Sequence, residues 1–201
     1  MGTITGPSSS DEEDIVEGPS TRSDVVSFGK FTPAQRDIVA LAVLGCTVHD
    51  FGAGNLELAH ELVKLGANRV VAIDASRKMP KPRTDKIETV VSYFEDYDCP
   101  LALDIAFMSY PANRRIPHLV DFARRSRLCI YLGVNTGGSA CGSVELFEHF
   151  LTRRCLAYVP DRKNTLIILG DTLTKARAPH GEEIGGLDKV RWYTFDEAEA
   201  L

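Results

Sequence analysis

The chain has 201 residues, 44% hydrophobic and 25% charged, a composition ordinary for one globular domain with no room for a separate target-recognition domain. No apolar run approaches the ~20 residues of a membrane span and no apolar signal region opens the chain, so a cytoplasmic protein without membrane association is expected. The net charge of −5 gathers at the front: residues 1–30 hold six acids against two bases, so the remainder is nearly neutral and net charge gives a nucleic-acid partner no support.

Residues 1–27 are rich in Ser, Gly, Pro and acids and offer few side chains to bury. They are predicted to be a disordered acidic tail ahead of a single domain over residues 28–201. Thr32-Pro33-Ala34-Gln35 has the form of a capping box with proline at the first helical position, and Ile38, Val39, Leu41, Ala42 and Val43 supply an apolar face. A helix is therefore expected from there to Gly45. The stretch from Cys46 to Phe51 reads as a buried strand, and Gly52-Ala53-Gly54 as a tight turn whose glycines accept unusual backbone angles and leave the main chain bare. Leu56, Ala59, Leu62 and Val63 then fall on one helical face, and Gly66 supplies a left-handed stop. Arg69 to Ile73 is a β-branched run suited to a parallel strand covered on both sides, with Asp74 at its carboxyl end.

An acid about 20 residues beyond a glycine turn commonly accepts hydrogen bonds from ribose hydroxyls, so Asp74 implies a ribose-bearing ligand. The dinucleotide fingerprint requires a third glycine, but Asn55, Leu56 and Glu57 follow Gly54. Asp50, two residues ahead of the first glycine, is placed to bind an ammonium group and would repel a pyrophosphate. The segment resembles motif I of the class I S-adenosylmethionine-dependent methyltransferases: acid, any residue, Gly, any residue, Gly. The resemblance implies that Asp50, Gly52, Ala53 and Gly54 line the methionine part of S-adenosylmethionine, that Asp74 holds its ribose, and that S-adenosylhomocysteine is the product.

After a polar, proline-containing loop from Ala75 to Lys86, Ile87 to Tyr93 reads as a third strand. At its end the resemblance puts adenine recognition, for which Phe94 and Asp96 are the candidates. Leu103 to Ser109 forms the fourth strand. In the amino-methylating members of that family an acid, Asn or Ser followed by two prolines and an aromatic residue stands at this end; here Ser109 and Pro111 match, while Tyr110 and Ala112 depart. Ser109, Tyr110 and Asn113 are the candidate catalytic residues. Pro117 to Arg125 is expected as a helix, Leu128 to Leu132 as a fifth strand, Gly133 to Gly142 as a glycine-rich loop, and Val144 to Arg153 as a further helix with Ser143 as its N-cap. Asp161-Arg162-Lys163-Asn164 separates two apolar runs, Leu156 to Pro160 and Thr165 to Leu169, so the ordered part closes in a hairpin. The five cysteines lack C-x-x-C pairing and read as reduced thiols, so no metal site is expected.

The pattern predicts an α/β Rossmann-like methyltransferase fold, a mainly parallel sheet with helices on both faces and a terminal antiparallel hairpin. The implied function is methyl transfer from S-adenosylmethionine to an acceptor that the residues do not name: small molecule, nucleic acid or protein. The alternative is a domain that binds the same cofactor without transfer and acts through a partner or a homo-oligomer.

Overall fold

The structure, a computed structural model, describes residues 29–111, 116–133, 146, 155–159 and 165–170. The tail over residues 1–27, Asn113, most of the glycine-rich loop, the helix expected after it and the C-terminal stretch from 171 lie outside the described residues, save that Leu146 is helical and buried.

Helix α1 (Pro33–Val43) opens with the expected capping box. The Gln35 amide donates to Thr32 Oγ1 at 3.3 Å, and the Thr32 amide donates to Gln35 Oε1 at 3.0 Å. Strand β1 (Thr47–Phe51) leads through the glycine turn to α2 (Glu57–Lys64) and β2 (Arg69–Asp74). Then follow β3 (Ile87–Val91), a 3-10 turn η1 (Phe94–Asp96), β4 (Leu103–Ser109), α3 (Ile116–Arg125), β5 (Ser126–Gly133), β6 (Cys155–Val159) and β7 (Thr165–Gly170).

These strands form one seven-stranded sheet in the order β3-β2-β1-β4-β5-β7-β6. The first five are parallel, and β7 pairs antiparallel with both β5 and β6. The fold is thus the expected one, hairpin included. Side chains alternate between the two faces with a period of two. Leu128, Ile130 and Leu132 of β5, with Leu166 and Ile168 of β7, join the core beneath α1 and α2. Cys129, Tyr131, Ile167 and Leu169 join the core beneath α3.

Several boundaries differ from the sequence expectation by one or two residues, and two of the differences have a visible cause. Strand β3 ends at Val91 instead of Tyr93, because its neighbour β2 ends at Asp74, the register partner of Val91, and the chain then turns into η1. Strand β5 starts two residues earlier than expected, at Ser126, whose hydroxyl donates to the Ala123 carbonyl at 2.8 Å. A polar residue satisfied in this way is invisible to a search for apolar runs.

The sheet places the site. Connections run outward from β1 to β2 and β3 on one side and through β4 and β5 on the other, so the crevice between the carboxyl ends of β1 and β4 is the switch point at which α/β sheets bind ligands.

Candidate functional site

Gly52 and Gly54 both adopt positive φ, +89° and +53°, which explains the residue type at both positions. The turn is clamped to β2 through its amides. Those of Gly52 and Ala53 donate to the Ile73 carbonyl at 2.8 and 3.2 Å, and that of Gly54 donates to Asp74 Oδ2 at 3.0 Å. Three consecutive amides are therefore engaged inside the protein, where a pyrophosphate-binding loop would turn them toward a ligand. In front of the turn there is space: nothing lies within 4 Å of where a Cβ on Gly52 would sit, and only the Gly52 carbonyl, at 3.9 Å, approaches that point on Gly54.

The two acids of the motif differ sharply. Asp74 is half-buried, and its second oxygen, Oδ1, accepts from the Ser76 amide at 2.7 Å, so both oxygens are oriented by backbone. Ser76 was not singled out by sequence reasoning, although an acid followed two residues later by serine is a recognisable Asx-turn signal. Asp50 is 1% exposed, and neither of its oxygens has a hydrogen-bond partner among the described residues. Burial, with the Asp74 carboxylate adding to it, pushes the Asp50 carboxyl up to about 7. A buried carboxylate without donors is costly unless a cation satisfies it, so this acid suits an ammonium group delivered by a ligand.

Ala53 is buried, and Leu56 occupies the N-cap of α2 in the left-handed region at φ +65°, fully buried. Phe94 is 5% exposed, its ring edge-on to Phe51 at 5.9 Å and to Phe122 at 6.2 Å. It packs in the core beneath η1 and fixes the turn to Phe51, the residue immediately before Gly52. Asp96 on the same turn is exposed. Ser109 and Tyr110 leave β4 beside β1. Tyr110 has φ +47°, unusual for a bulky residue, and its amide donates to the Leu132 carbonyl at 2.9 Å. Such a conformation costs about 1–3 kcal/mol and tends to occur at functional sites.

The topology bonds Gly52, Ala53 and Gly54 to Ile73 and Asp74, sets Asp50 just ahead of them on β1 and η1 beside them, and brings Ser109 and Tyr110 to the same sheet edge. One feature that periodicity does not detect stands next to it. The loop from Ser76 to Lys86 carries Arg77, Lys78, Lys81, Arg83 and Lys86, all exposed, against the single acid Asp85. A count of charge along the sequence would have found it.

No protein-family model matches this sequence, and no curated protein does. Solved structures do match. The precorrin-6y C5,15-methyltransferase of Geobacter metallireducens GS-15 is 15% identical with a TM-score of 0.51, over 76% of this chain and 94% of that one. The candidate methyltransferase yhhF of Escherichia coli is 12% identical with a TM-score of 0.52, over 73% and 91%. A candidate RNA methyltransferase of Pyrococcus horikoshii is 12% identical with a TM-score of 0.51, over 70% and 83%. At such identities the likeness is one of architecture, and it agrees with the strand order and the closing hairpin found in this sheet. The chain has the Rossmann-like fold of the class I S-adenosylmethionine-dependent methyltransferases.

Proposed function

We propose that the protein is an S-adenosylmethionine-dependent methyltransferase. The observation that carries this reading is the pairing of a buried Asp50, without a donor among the described residues, with an open glycine turn whose own amides are already bonded to β2. A site of this kind favours a ligand with a cationic amino-acid portion over one with a diphosphate.

In this reading Asp50 holds the ammonium group, the bare backbone of Gly52 to Gly54 lies along the methionine chain, and Asp74 uses its remaining lone pairs for the ribose hydroxyls. Asp96 accepts from the adenine amine, and Phe94 acts from below by fixing the turn that carries it. When bound, the cofactor supplies an electrophilic methyl group on a sulfonium sulfur. The protein's task is then alignment of the acceptor in a site from which water is excluded. In the same reading Ser109, Tyr110 and Asn113 are the residues assigned to the acceptor, and Tyr110, as its phenolate, takes a proton if the acceptor must lose one.

Calorimetry with S-adenosylhomocysteine and with NAD tests the cofactor assignment: the first binds and the second does not. Asp74→Ala should weaken S-adenosylhomocysteine binding roughly ten- to hundred-fold, the 1.5–3 kcal/mol of hydrogen bonds to a charged acceptor. Because Asp74 also holds the Gly54 and Ser76 amides, the same variant should melt at a lower temperature. NAD binding in place of the adenosine thioether would overturn the reading. Labelled cofactor with substrate pools then tests transfer itself, and cofactor binding with no transfer to any pool would leave a binding domain.

A further inference from the structure

A groove of about 380 Å³ runs along α2 on the side facing away from the sheet, between residues 29–31 and the loop that follows β2. Its lining includes Lys30, Arg36, Lys64, Lys81 and Arg83. Arg36 is paired with Glu61, whereas Lys30, Lys64, Lys81 and Arg83 make no close ion pair among the described residues, and the lining sets five cations against two acids, Glu57 and Glu61. His60, on the groove side of α2, is held below its ordinary pKa by partial burial and then by Arg83 and Lys64, so both cations project their field into this space. Arg77, Lys78 and Lys86 extend the positive charge along the loop.

We propose that this groove binds the phosphodiester backbone of a nucleic acid. The groove follows the eight residues of α2, about 12 Å, and its cations come from separate elements around it, Lys30 and Arg36 on one side, Lys64 on α2, Lys81 and Arg83 on the loop, instead of forming one cluster on one element. With one phosphate for about every 3.4 Å of axis in a stacked strand, three or four fit that length. Flexible, exposed lysines without a buried donor suit sequence-independent contact to a polymer and not a single enclosed anion. The concave shape favours a strand over a flat lipid surface. The groove also leads to the crevice: Asn55 in its lining directly follows Gly54, and the basic loop leaves β2 just after Asp74. A strand held there passes the site proposed for methyl transfer, but the binding stands apart from that reading because it needs no cofactor.

Fluorescence anisotropy of the full chain with labelled 20-nucleotide single strands, one of RNA and one of DNA, tests it. Binding is expected at 50 mM salt and should weaken about fifty-fold at 200 mM if four phosphates are neutralised. Lys81→Glu with Arg83→Glu should cost at least ten-fold and flatten the salt dependence, while the circular dichroism spectrum and S-adenosylhomocysteine binding stay unchanged. Lys64→Glu, on a separate element, should reproduce part of the loss. Whichever strand binds more tightly names the sugar of the partner. Failure of both strands to bind at 50 mM salt, equal binding by the charge-reversed variant, or binding only to vesicles containing phosphatidylserine would each overturn the proposal. Loss of S-adenosylhomocysteine binding in the wild type would instead count against the methyltransferase reading and leave this one standing.

Discussion

Asp50 gives the sharpest case of one residue serving two ends. Its carboxyl titrates near 7 in the folded protein against an ordinary 3.8, so the folded state holds this proton more tightly than the unfolded chain does. The contribution is fully present below the unfolded value and is lost as pH rises to about 7, a span of roughly 4 kcal/mol at 1.36 kcal/mol per unit. Asp50→Asn removes the ionisation, so thermal melts should show the variant more stable than wild type at pH 8, by about 1–3 kcal/mol once the amide's own desolvation is counted, with the advantage gone at pH 4. The same substitution should abolish tight S-adenosylhomocysteine binding, and wild-type affinity should itself rise between pH 5 and 8 as Asp50 ionises. His49, one residue earlier, works in the opposite sense. Burial, and after it Arg69, lowers its pKa, and Nδ1 has no partner among the described residues, so its contribution to stability is present above the usual imidazole range and fades as pH falls below it.

At the scale of elements, glycines separate into those required by backbone and those required by packing. Gly52 faces open space, but a Cβ on Gly170 would meet Leu128 Cδ2 at 2.6 Å and the Arg127 carbonyl oxygen at 3.0 Å. The carbonyl belongs to the paired strand β5 and cannot step aside. Gly170→Ala should therefore cost about 1–3 kcal/mol, seen as a melting temperature lower by roughly 2–4 °C per kcal/mol. The contrast bears on what sequence could tell. The capping box of α1, the glycine turn, β2 and β4 were legible because each is a local rule: a side chain capping its own helix, a φ that only glycine takes readily, a run of apolar residues. The positions of Asp50 on β1 and Asp74 at the end of β2, on either side of the glycine turn, were legible from spacing alone. What spacing could not disclose was how differently the two are housed, since the burial of Asp50 depends on Ala72 and Phe107, its register partners from β2 and β4. Phe94 shows the same limit. An aromatic at a strand end looks like a stacking surface until Phe51 and Phe122, from distant parts of the chain, close over it.

For the molecule as a whole, charge is divided between the front of the chain and the α2 groove. Residues 1–27 contain six acids and one base, which accounts for the entire net charge of −5. Their composition predicts that deleting them leaves the melting temperature nearly unchanged while strengthening oligonucleotide binding at low salt, because five negative charges leave the chain. A large fall in melting temperature would mean instead that these residues contribute to the folded core. The sheet has a different asymmetry: β7, the last strand to be described, does not sit at the edge but is inserted between β5 and β6. On the ribosome, β1 to β5 can pair in the order they emerge, but the flank of β5, lined by Leu128, Ile130 and Leu132, stays open until Thr165 to Gly170 has been made. β6 cannot shield it, because among the described residues β6 pairs with β7 alone. An open apolar strand is a template for aggregation, so the nascent chain is most vulnerable in its final third. A stop codon ahead of Thr165 would yield insoluble product and not a smaller working domain.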